Sequence, residues 1–75
     1  SNVRKLLFEN LDIITASALE REIEQTIRNF EPRVRVVSVK AIPDFNNNGF
    51  SVQMEFYIIN QTAPVSISFL LERLR

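Results

Sequence analysis

Pro32 is the residue that most constrains how this chain can fold, because it follows directly on the only long amphipathic stripe. In Asn29-Phe30-Glu31-Pro32-Arg33-Val34, proline disfavours helical geometry in the residue before it and pushes Glu31 towards an extended conformation. Pro32 itself has a fixed φ and no backbone donor, so a helix must stop here and a strand can begin. In an extended chain, side chains two apart share a face, which sets Glu31 and Arg33 side by side at a rigid corner. The plain role for such a pair is a solvated ion pair worth about 0–1 kcal/mol. The sharper role is a two-pronged contact with a partner, since a guanidinium grips carboxylate or backbone groups with defined geometry.

Upstream of that stop, Ala16, Leu19, Ile23, Ile27 and Phe30 recur at steps of three and four, one face of an amphipathic helix. Glu20, Arg21, Glu24, Gln25 and Arg28 occupy the opposite, solvated face. Glu24 and Arg28 stand four apart in the favourable order. Thr15 or Ser17 can cap the helix, and Ser17 with Glu20 has the spacing of a capping box. Before it, Leu6, Leu7 and Phe8 form a cluster too short for a helix, so residues 3–14 read as an extended lead-in pinned to the core.

Downstream, the pattern changes period. A first strand runs from Val34 to Ile42, where Val34 and Val36 share one phase and Val37, Val39 and Ala41 the other. That slip predicts a bulge or a strand buried on both faces, and Pro43 ends the strand. Asp44 to Gly49 is a polar turn except for Phe45, which is either a lid on the core edge or an exposed contact. The second strand alternates Phe50, Val52, Met54, Phe56 and Ile58 with Ser51, Gln53, Glu55, Tyr57 and Ile59. After a turn over Asn60 to Pro64, a third alternates Val65, Ile67, Phe69 and Leu71 with Ser66, Ser68, Leu70 and Glu72. Short connections make these an antiparallel meander in the order 1-2-3. The fold class is α+β, one amphipathic helix packed on three strands. Of its two edge strands, the third ends in Leu70-Leu71-Glu72-Arg73-Leu74 and has no internal proline or lysine to blunt it. Such an edge is either covered in a longer protein or accepts a strand from another chain, with Ser66, Ser68, Leu70 and Glu72 as the addition edge.

Seventy-five residues make a single domain, residues 1–75, and bury only about 60% of the unfolded surface. With no cysteine and no histidine, disulfide staples and the usual zinc spacings are excluded, and neither a metal nor a cofactor is expected. Small domains without staples are often completed by self-association or a partner. Nine basic and nine acidic side chains cancel, which argues against nucleic acid as a partner. No apolar run approaches the ~20 residues that span a bilayer, so no membrane is expected. Ser1-Asn2 reads as left over from cloning, with a piece of something longer from Val3 onward.

Leu7-Phe8-Glu9-Asn10, and the helix ending Ile27-Arg28-Asn29-Phe30-Glu31-Pro32-Arg33, closely resemble the baseplate wedge subunits of T-even-type contractile-tail phages. That wider family includes a baseplate component of type VI secretion systems. The resemblance runs from about Leu6 to Leu71, and its marker is the triplet Glu31, Pro32 and Arg33 after the helix. Family members carry a further N-terminal region, so the resemblance makes this chain the C-terminal core of a longer protein. It implies structural work in the virion's tail baseplate, assembled in the host cytoplasm, with other wedge proteins and tail sheath subunits as partners. It also implies that Glu31 and Arg33 dock to neighbouring wedge proteins, with Pro32 as the spacer, and that the sheet accepts the first arms of the sheath.

The competing reading is a lysozyme-like peptidoglycan hydrolase at the baseplate. It needs two carboxyl groups across a cleft, about 5–9.5 Å apart depending on stereochemistry. Glu9, Asp12, Glu20, Glu22, Glu24, Glu31 and Glu55 supply acids, but none in an evident cleft, and no catalytic residue is assigned. A double-stranded-RNA-binding module shares the helix-and-strands flavour but needs a final helix with a basic start, which is missing.

Overall fold

A computed structural model describes residues 2–73; Ser1 and Leu74, on which two of the expectations above touch, lie outside the described residues. After a single helical turn, α1 (Val3–Leu6), comes the long helix α2 (Ile13–Phe30). The strands are β1 (Val34–Asp44), β2 (Gly49–Ile58) and β3 (Val65–Glu72). They form one antiparallel sheet in the order β1-β2-β3, so the expected α+β meander is the fold.

The core lies where α2 meets the sheet. Ala16, Leu19 and Ile23 meet Ala41, Phe50, Val52 and Met54, with Leu7 inserted from the N-terminal segment. Phe50, Leu19 and Val52 are fully buried. Full burial of side chains this size contributes about 1.5–3 kcal/mol each relative to exposure. The helix approaches β1 rather than lying over the sheet's centre. Ala41, with only a methyl group, allows that close approach.

Several local expectations need correction. Residues 3–14 are not an extended lead-in: Val3–Leu6 is helical, and Asn2 donates to Glu22 Oε1 (3.0 Å), tying it to α2. Leu7 is pinned to the core as expected. The helix cap is neither Thr15 nor Ser17. Asp12, extended at φ −138° and ψ 174°, accepts from the Thr15 backbone N–H (2.7 Å). An aspartate caps as well as a serine, and starting there lets Thr15 and Ala16 enter the core. The Glu24–Arg28 pair forms as the spacing predicts, at 2.6 Å. Phe30, placed on the buried stripe by its spacing, is 74% exposed at the last position of the helix.

The phase slip in β1 is a bulge at Val37, where the register shifts between Val36 and Ser38. Pro43 does not end the strand, which continues to Asp44. On the register with β2, Pro43 turns its missing donor away from the neighbouring strand, where an edge tolerates proline. In the following turn Asp44 accepts from the backbone and side chain of Asn47, and Asn48 takes a positive φ of 52°. Phe45 is an exposed residue, not a lid. Gly49 is required for closeness: a Cβ there would collide with the Leu71 carbonyl oxygen.

Candidate functional site

The sheet's two borders are built differently, and backbone hydrogen bonding shows how. Ile59 N–H donates to Arg33 C=O on the β1 side of β2, and Arg73 N–H to Asn48 C=O on the β3 side, both at 2.8 Å. In an antiparallel ladder, successive residues turn their backbone groups alternately towards and away from the neighbour. Counting along the register, Val34, Val36, Val39, Ala41 and Pro43 face away from the sheet on β1. On β3 those residues are Ser66, Ser68, Leu70 and Glu72.

The β1 border is blocked at three of its five outward-facing positions. Val34 N–H donates to Glu31 C=O (3.0 Å), and Ala41 N–H to Glu20 Oε2 (2.8 Å). Pro43 has no donor to offer, and the bulge at Val37 breaks the flat run between them. These are devices that keep a strand edge from pairing with another chain. By its spacing Glu20 belongs to the solvated face of α2, yet it bonds the strand. It stands at that face's margin, four residues from Ala16 and three from Ile23, and this position was the available signal.

The β3 border has none of these devices. Among the described residues, no hydrogen bond reaches Ser66, Ser68, Leu70 or Glu72 from the outer side, and all four are exposed. Their neighbours Ile67 and Phe69 share the helix side of the sheet with Met54 and Val52, yet stay 42% and 36% exposed because α2 sits over β1. The edge that the sequence singled out is thus bare both in its backbone and on half of its apolar face.

The Glu31-Pro32-Arg33 triplet forms the connection at the other end of α2. Glu31 N–H still donates to Ile27 C=O (2.8 Å), and its carbonyl then receives Val34, so the triplet is a tight turn, not the start of a strand. Glu31 and Arg33 therefore flank a turn and do not stand side by side on the face of a strand. All three residues are exposed, and among the described residues the Glu31 and Arg33 side chains make neither a mutual ion pair nor another hydrogen bond. Two opposite charges are presented to solvent unpaired.

The acids considered for catalysis are largely engaged within the fold. Asp12 caps α2, Glu20 bonds β1, Glu22 bonds Asn2 and Glu24 pairs with Arg28. Glu9 and Glu22 line one shallow open cleft, together with Lys5 and Arg21. Among the described residues no cluster of acids could hold a metal ion, and no helix is long and apolar enough to cross a membrane.

The unit thus combines one partly blocked border, one bare border and an exposed charged turn. Comparison with known proteins identifies its family. Residues 1–62 match the family model described as baseplate wedge protein gp25, and the chain belongs to that family. It is 39% identical over 54 residues to the baseplate wedge protein gp25 of Enterobacteria phage T4, covering 72% of this chain and 41% of that one. The chain thus spans about two fifths of the curated relative it matches. A Geobacter sulfurreducens structure solved under the name tail lysozyme superposes with a TM-score of 0.86 at 16% identity. The match covers 99% of this chain and 68% of the other, and at that identity it speaks for the fold alone. The family match ends before β3, so the third strand's place in the comparison rests on the superposition.

Proposed function

We propose that this chain is the C-terminal assembly core of a baseplate wedge protein in a contractile tail or related injection machine. In this reading it docks to neighbouring wedge proteins through Glu31, Pro32 and Arg33 and offers β3 as the acceptor for the first arm of the sheath. Family membership carries the coarse part, a structural component of a phage tail baseplate, and with it a place in the virion. Assembly in the host cytoplasm belongs to the same proposal. The observation that supports the finer part is the contrast between borders: among the described residues the four outward-facing residues of β3 lack partners, while β1 is blocked at Val34, Ala41 and Pro43 and broken by a bulge. An extended peptide gains affinity from such main-chain bonds and specificity from alternate side chains.

No catalytic step is assigned. The roles of Asp12, Glu20, Glu22 and Glu24 inside the fold favour a scaffold over a hydrolase. The test is sheath polymerisation on baseplates carrying Ser66→Pro/Ser68→Pro in the full-length protein. Both prolines replace outward-facing donors, so the domain should fold while sheath initiation is lost. Normal sheath on the doubly substituted baseplate would sink the strand-acceptor role.

A further inference from the structure

We infer that Phe30 is the apolar anchor of the docking corner. Its partner is a protein segment that brings an apolar side chain between one carboxylate and one basic group. The inference deepens the docking role proposed above for Glu31 and Arg33, and rests on it.

Phe30, the last residue of α2, continues by its spacing the stripe of Ile23 and Ile27, yet 74% of it is exposed. It directly precedes Glu31, whose carbonyl closes the turn on Val34. On the other side of that turn Ile59, 57% exposed, is bonded through its N–H to the Arg33 carbonyl. Two bare apolar side chains therefore flank the turn that displays two unpaired charges. Arg28, one turn earlier in α2, is already held by Glu24.

Magnitudes decide which of these groups dominates. Fully exposed charges contribute little on their own. Interface energy concentrates in aromatic and arginine side chains that become desolvated on binding. Both signs at one corner also select the partner class. A surface of a single sign, such as a nucleic-acid backbone, is attracted by Arg33 and repelled by Glu31, whereas a protein segment can answer both.

The experiment measures the affinity of the full-length protein for a wedge subassembly purified without it, comparing Phe30→Ser, Phe30→Leu and Arg33→Ala, with a melting curve for each. Phe30→Ser is expected to weaken binding at least tenfold at an unchanged melting temperature. Phe30→Leu should recover most of the loss, and Arg33→Ala should cost only a few-fold. If Phe30→Ser binds like the parent protein while Arg33→Ala abolishes binding, the corner docks by polar contacts and the anchor is wrong, although docking stands. If neither substitution changes binding, docking at this corner fails as well. A melting temperature lowered by several degrees in Phe30→Ser would make the ring part of the fold instead. Tight, salt-sensitive binding of duplex DNA by the parent protein, lost in Arg33→Ala, would overturn the choice of a protein partner.

Discussion

The β1 and β3 borders are made of similar material and have opposite fates. Both strands are rich in β-branched and large apolar residues, and both pair with β2 on one side only. β1 has α2 alongside, a carboxylate on Ala41 N–H, a carbonyl on Val34 N–H, a proline and a bulge. β3 has none of these, and among the described residues no hydrogen bond reaches its outward backbone. The difference teaches that an edge is guarded partly by its own residues, here Pro43 and the bulge, and partly by its surroundings, here the Glu20 carboxylate brought by α2.

That contrast can be broken from either side, and the largest effect should come at the seam attaching β3. Gly49→Ala puts a methyl group against the Leu71 carbonyl, a backbone obstacle that cannot rotate away. Overpacking of this kind should cost about 3 kcal/mol in a urea unfolding titration, and β3 amides should lose hydrogen-exchange protection first. Next comes the seal on β1. Glu20→Ala frees the Ala41 N–H and should cost about 1–2 kcal/mol. It should also introduce self-association at high concentration, read by sedimentation, as a second edge becomes available. Asp12→Ala removes the helix cap without touching either border. It should cost about 1 kcal/mol and leave association unchanged, which separates loss of stability from loss of the seal. The smallest effect belongs to Glu24→Ala, a few tenths of a kcal/mol, since its pair with Arg28 is solvent-exposed.

Much of this was legible in the residue order because it depends on local periodicity. The stripe from Ala16 to Ile27 gives a helix, the doublets from Phe50 to Ile58 and Val65 to Glu72 give strands, and the slip at Val37 gives the bulge. The i, i+4 spacing of Glu24 and Arg28 needs nothing beyond the helix itself. The errors share a cause. Ser17 had a better spacing for a cap than Asp12, but core packing of Thr15 and Ala16 favours the earlier start. Pro43 looked like a strand stop, and only its outward orientation on an edge makes it harmless.

For the candidate site, the four residues of the β3 edge follow from alternation once the strand order is known. That the opposite edge is sealed does not. The sealing bond joins Glu20 to Ala41, twenty-one residues apart, and a sequence pattern has no term for a contact at that separation. Phe30 shows the same limit from the other direction. Its spacing says buried, and its exposure depends on what other elements pack around the end of α2. Short-range order thus determined which segments are helix and strand and which face of each is apolar, because those properties repeat along the chain every two or 3.6 residues. The tertiary structure decided which apolar faces are covered and which strand border stays open, because coverage depends on where α2 comes to rest across the sheet.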